Sequence, residues 1–201
     1  MSKTKHLDLG CGNMPRNPFF ADELYGVDII DLYDSNVNFN YTKANLSLES
    51  LPFDDNYFDS VSAYDFFEHI LRVHIVNGIT KFPFVELLSE IYRILKPGGQ
   101  LYAVTPFYPK ESAFVDPTHV NFITKNSHKY FITPHNWAQM YGFKGCFDKK
   151  RVSIVNFETE LKTFSFVKKS ILQILNFILP RRKQHIVWHF TALKTSSNIN
   201  D

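Results

Sequence analysis

Apolar residues recur along this chain in two rhythms. Short apolar runs bounded by glycine, proline or acidic residues read as strands over His6–Leu9, Leu24–Ile30, Leu101–Thr105, Arg151–Phe157 and His185–Leu193. Phe58–Ala63 alternates into a further strand, and Asn45–Phe53 reads as a loop or weak strand. Helical spacing of Val85, Leu88, Ile91, Tyr92 and Leu95 predicts a helix over Val85–Leu95. Lys96-Pro97-Gly98-Gly99 closes it, since proline cannot continue a helix and glycine permits a left-handed turn. A second helix is predicted over Phe164–Leu179, apolar except for a narrow stripe of Ser165, Lys169, Gln173 and Asn176. Strands interleaved with helices predict an α/β fold, a doubly wound and mostly parallel sheet with helices on both faces.

Such a sheet binds its ligand beyond the carboxyl ends of the early strands. There the chain places Asp8-Leu9-Gly10-Cys11-Gly12, and one strand later Tyr25-Gly26-Val27-Asp28. Glycines let backbone approach a ligand at positive φ, and a carboxylate accepts hydrogen bonds from two ribose hydroxyls. Strand, glycine turn, strand and carboxylate together predict a nucleoside site. A nicotinamide dinucleotide fits it poorly: the third fingerprint glycine would fall at Pro15, and Pro15 and Pro18 leave only a short or distorted first helix.

At 201 residues, one domain over 1–194 is expected, with insertions at about 72–83, 107–137 and 158–184 and a polar tail over 195–201. Apolar (44%) and charged (21%) shares are ordinary, whereas the aromatic share of 16% predicts a ring-rich core or cleft. Two cysteines make no disulfide framework, so a cytoplasmic setting is expected. No leader pattern or membrane span is read; the net charge of +2 is neutral on nucleic acid, which the want of a basic stripe or recognition domain disfavours.

Four segments stand in the order that one site needs: Asp8 to Gly12, Gly26-Val27-Asp28-Ile29, Leu51-Pro52-Phe53 through Phe58-Asp59-Ser60-Val61, and Ile94 to Gly99. With Glu68-His69, they resemble the class I S-adenosylmethionine-dependent methyltransferases, in the group with LPF, FD, EH and LKPGG signatures. The resemblance implies a Rossmann-like seven-stranded sheet and S-adenosyl-L-methionine as cofactor. It implies that Gly10, Cys11 and Gly12 pass under the methionine end, that Asp8 orients the amino group and that Asp28 grips the ribose beside Ile29. Asn45 would face the adenine, and Ala63 and Tyr64 would lie against the methionine moiety.

Methyl transfer to a hydroxyl benefits from a base near the strand ends. His69, Tyr108 and His119 are the candidates, and Asp116 is placed to orient His119. The alternatives for His69 and His119 are backbone and loop stabilisation. His119, His128 and His135 with Asp116 match no compact zinc spacing, so no metal is expected. The expected activity is methylation of a small-molecule or glycan-type acceptor at oxygen, under loops from the 72–83 and 107–137 insertions. A catalytically silent cofactor-binding partner subunit is the competing reading. The 164–179 helix, followed by Arg181-Arg182-Lys183, suits internal packing, a homodimer contact, or a peripheral membrane contact towards a lipid-linked substrate.

Overall fold

The computed structural model describes residues 2–32, 38–157 and 184–194. Strands β1 (Lys5–Leu9), β2 (Glu23–Asp28), β3 (Asn40–Lys43) and β4 (Phe58–Tyr64) come first. A small hairpin, β5 (His74–Val76) and β6 (Ile79–Lys81), precedes α1 (Pro83–Ile94). β7 (Leu95–Pro106), β8 (Phe147–Val155) and β9 (His185–Ala192) complete the described elements. Seven strands form one sheet in the order β3-β2-β1-β4-β7-β9-β8, and only β9 runs against its neighbours. The mostly parallel α/β sheet expected from the sequence is present.

β1 is central and buried on both faces, which is why it reads as an apolar run rather than an alternation. Pro83 opens α1, where its missing N–H costs nothing, and Phe84, Leu87, Leu88, Ile91 and Ile94 bury one face of the helix. The aromatic residues largely build the core. Trp188, fully buried on β9, has Phe67, Phe84, Phe131 and Phe190 around it at ring distances of 6.1, 6.5, 6.2 and 5.5 Å. Truncating such a side chain costs about 3–5 kcal/mol.

Several boundaries differ from the sequence reading, each for a local reason. The third strand lies at Asn40–Lys43, and Asn45–Phe53 is a loop started by the Asn45 side chain, whose Oδ1 accepts from Ser47 N. β2 stops at Asp28 instead of Ile30, because the Asp28 carboxylate draws the Ile29 and Ile30 amides back onto itself. β8 starts at Phe147 rather than Arg151, its exposed Asp148, Lys149 and Lys150 suiting an edge strand. No helix forms between β1 and β2, where Pro15 and Pro18 intervene. The 72–83 insertion holds the β5–β6 hairpin, turned by Asn77 and Gly78 at φ of 51° and 77°.

Among the described residues α1 is the one α-helix, so helices on both faces are not seen there. The predicted Phe164–Leu179 helix, the 164–183 contact and the 195–201 tail lie outside the described residues. No described helix is long and apolar enough to cross a membrane.

Candidate functional site

A cleft of about 310 Å³ opens at the carboxyl ends of β1, β2 and β4, within the range of small-molecule sites. Gly10, Asp28 and Ile29 form one side, Ala44 to Ser47 the floor of a second, and Asp65, Phe66, His69 and Ile70 the third. Gly10 takes φ +66°, and a Cβ there would meet the Phe66 ring at 2.6 Å. Gly12 takes φ +52° with nothing within 4 Å of the position a Cβ would occupy. The turn therefore packs tightly at Gly10 and leaves open space at Gly12. Asp28 Oδ2 accepts from Gly12 N at 2.8 Å, and Oδ1 from Ile29 N at 2.7 Å, so backbone amides aim the carboxylate. Gly26 makes room for Cys11, whose Sγ would lie 2.6 Å from a Cβ there.

A buried polar ladder runs beneath this turn. Parallel pairing sets His6 opposite Ser60 and Asp8 opposite Ser62, on one face of β1 and β4. Ser62 Oγ donates to Asp8 Oδ1 at 2.5 Å, so its only proton is used, and His6 Nε2 must donate to Ser62 Oγ at 2.8 Å. That leaves His6 Nδ1 accepting from Ser60 Oγ at 2.7 Å. Burial holds His6 down at about 4, in keeping with this neutral tautomer, and pushes the Asp8 carboxyl up to about 6. Arg16 N donates to Asp8 Oδ2 at 2.8 Å, tying the residues after the glycine turn to the carboxylate below it. Burial, with Asp8 and Asp28 nearby, pushes the Cys11 thiol up to about 12.

A second polar group stands at the far side of the cleft. Phe67–His69 is a single 3₁₀ turn after β4, and the loop beyond β7 returns to it. Val120 N and Asn121 N both donate to the Glu68 carbonyl at 2.9 Å, and Asn121 Nδ2 to Phe67 O at 3.1 Å. This stitching sets the His119 ring 4.8 Å from the His69 ring, nearly perpendicular. Thr118 Oγ1 donates to Asp116 Oδ1 at 2.7 Å, so His69 Nδ1 donates to Thr118 Oγ1 at 2.9 Å and keeps a lone pair on Nε2. Burial and the neighbouring His119 lower the His69 pKa. Burial also raises Glu68, to about 8, even though its Oε2 accepts from Thr105 Oγ1.

Of the residues singled out in the sequence, Gly10, Asp28, Ile29, Asn45 and His69 line this one cleft. Cys11 is buried against the position of Gly26, and Asp8 is fully buried beneath the turn with both oxygens engaged. Ala63 and Tyr64 are buried in the sheet, and Asp65 and Phe66 supply the cleft wall at that strand end. Asn45 spends one lone pair of Oδ1 on Ser47 N. His119 does not line the cleft but backs His69. Tyr108 is half exposed and packs on Phe114, away from the lining residues.

His128 and His135 are not gathered with His119; among the described residues its close partners are His69, Glu68 and Asp116. Asp65 was missed as a site residue. It takes φ +47°, tolerable for a short polar side chain, and its Oδ1 lies 3.0 Å from His185 Nε2 on β9. The Asp directly after a buried strand is the signal that would have found it.

Comparison with known proteins agrees with this geometry. Residues 7–103 match the family model described as a methyltransferase domain. No curated protein matches the chain by sequence. Among solved structures, an S-adenosylmethionine-dependent methyltransferase from Archaeoglobus fulgidus is 19% identical, with 94% of this chain and 86% of that chain covered and a TM-score of 0.54. The YcgJ protein from Bacillus subtilis is 15% identical, with 96% and 93% covered and a TM-score of 0.54. The [4+2]-cyclase SpnF is 14% identical, with 96% and 76% covered and a TM-score of 0.56. At these identities the structures speak for the fold, and the family model with its glycine turn and Asp28 speaks for the cofactor. Residues 7–103 are thus similar to a methyltransferase domain on a fold shared with the solved S-adenosylmethionine-dependent methyltransferases, and S-adenosyl-L-methionine is the cofactor.

Proposed function

We propose that this protein moves the methyl group of S-adenosylmethionine to a hydroxyl of a small-molecule or glycan-type acceptor. One observation carries the reading: a single cleft runs from Asp28 and Gly10 to Asp65, Phe66 and His69. Groups suited to the donor and groups suited to a hydroxyl therefore share one space. The cofactor, when bound, supplies a methyl carbon activated by its sulfonium. Asp28 accepts from the ribose hydroxyls, and Ile29 packs beside the adenine, with Asn45 at its edge. Gly10-Cys11-Gly12 carries the methionine end, Asp8 bracing it from beneath and Ala63 and Tyr64 backing it from the sheet.

Holding donor and acceptor in line supplies much of the barrier reduction. His69 offers the Nε2 lone pair towards the acceptor side, with His119 behind it, so the acceptor hydroxyl meets a group able to receive its proton. The loop beyond β7, which sets His119 against His69, borders the acceptor side. Cys11 and Cys146 are both free thiols, which accords with a cytoplasmic setting.

A second reading is a cofactor-binding subunit without turnover. The likeness to a cyclase of the same fold favours keeping it in the test, because this fold does not by itself dictate methylation. Incubating the full chain with methyl-labelled cofactor and pools of hydroxyl-bearing glycans and small molecules separates the two. Label transfer that is lost in His69→Ala supports the enzyme; cofactor binding with no transfer to any pool supports the silent subunit.

A further inference from the structure

The turn after β4 and the loop after β7 bring one carboxylate and two imidazoles to the same edge of the cleft. We infer that Glu68, His69 and His119 form a binding site for one divalent transition-metal ion of the zinc type. One ligand atom from each residue lies within 4.8 Å of the other two. Glu68 Oε1 and His119 Nε2 are 4.0 Å apart, too far for a hydrogen bond. Ligands bound at roughly 2.0–2.2 Å to one tetrahedral ion stand about 3.3–3.6 Å apart, so this pair must close by about half an ångström and the widest pair by more than one, through side-chain rotation.

The second, independent observation is an unpartnered oxygen. The Glu68 side chain is 2% exposed and its Oε1 has no hydrogen-bond partner, while Oε2 is held by Thr105. A buried carboxylate oxygen left bare is costly unless a cation or proton meets it. It aims at His119. His69 shows the arrangement of a metal-bound imidazole, with Nδ1–H donated to an oxygen that is itself held by a carboxylate, and Nε2 free. Asp116 Oδ2, 4.0 Å from His119 Nε2, is placed to join or to orient that ring. Two imidazoles and a carboxylate favour zinc-type ions over magnesium or calcium, which prefer all-oxygen sites.

The site itself rests on these distances and on the bare Glu68 oxygen. Its use rests on the methyl-transfer reading and would replace direct proton transfer to His69: with Nε2 on the ion, an open position facing the cleft would take the acceptor hydroxyl and make it more acidic, its proton leaving to water.

The test is titration of the chelator-treated full chain with zinc by calorimetry, and with cobalt by visible absorption, beside a titration with S-adenosylmethionine. The expected result is one zinc per chain. Affinity should fall at least about tenfold in Glu68→Gln and in His119→Ala, with loss of the cobalt d–d bands. Metal-free thermal melts of both variants should match the metal-free wild type, showing that they fold. Failure of the wild type to bind stoichiometric zinc overturns the inference, as does unchanged binding in a His69→Ala, His119→Ala double variant. Zinc binding without cofactor binding keeps the metal site and removes the methyl-transfer reading; cofactor binding without zinc removes the metal site alone.

Discussion

Ser62 Oγ donates to Asp8 Oδ1 at 2.5 Å, from β4 to β1 and directly beneath the glycine turn of the cofactor cleft. Asp8 is fully buried, so this bond and the one from Arg16 N replace the water it gave up. Ser62→Ala removes one of the two and leaves His6 Nε2 without its acceptor. At neutral pH the expected loss of stability is about 1–3 kcal/mol, read from urea unfolding. A change within a few tenths would show that the ladder contributes little.

Asp8 also sets a pH dependence. Its carboxyl titrates at about 6 in the folded protein against an ordinary value of 3.8, chiefly because burial penalises the charge. The folded state therefore holds this proton more tightly than the unfolded chain. The associated stability is fully present below about pH 3.8 and is lost as pH rises through about 6. Relative to Asp8→Asn, which cannot titrate, the wild type should lose stability across that window. Denaturant midpoints of both proteins from pH 4 to 7.5 check this, and parallel curves would contradict it.

Gly10 and Gly12 both adopt positive φ, yet their surroundings differ. Gly10→Ala adds a left-handed penalty of roughly 1–2 kcal/mol and drives a methyl into Phe66, so it should damage folding. Gly12→Ala meets open space and should cost the fold only the backbone strain. On the proposed reading, in which Gly12 carries the methionine end, the added methyl crowds the cofactor. Melting temperature should fall more for Gly10→Ala, and cofactor affinity should fall in Gly12→Ala while that protein remains folded.

Asp28 is the residue assigned to the ribose. Asp28→Ala should weaken S-adenosylmethionine binding by about 1–3 kcal/mol, because two hydroxyls lose a charged acceptor and Gly12 N loses its anchor. Titration calorimetry on the folded variant measures it, and unchanged affinity would remove the ribose assignment.

Local signals made much of the fold legible. The apolar run before Gly10, the run Leu101–Thr105 and the helical spacing of Val85–Leu95 mark β1, β7 and α1 because each depends on neighbours in sequence, whereas Lys96-Pro97-Gly98-Gly99, expected as a turn, belongs to the first part of β7. The Asn77-Gly78 turn of the β5–β6 hairpin is equally local. Half of the cleft lining was legible for the same reason: Gly10, Asp28 and His69 follow or close apolar runs that the pattern locates to within a residue or two. The other half depends on long-range packing. Glu68 meets His119 only because the loop after β7 donates two amides back to the Glu68 carbonyl, and Asp65 meets His185 only because β9 inserts beside β7. No spacing in the sequence encodes either meeting.

The central claim is that this cleft binds S-adenosylmethionine as a methyl donor. Titration calorimetry of the full wild-type chain with S-adenosylmethionine, with circular dichroism verifying the fold of the same sample, tests it most directly. One binding event per chain, competed by S-adenosylhomocysteine, is the predicted result. A well-folded sample with no binding heat at any temperature tried would contradict the account.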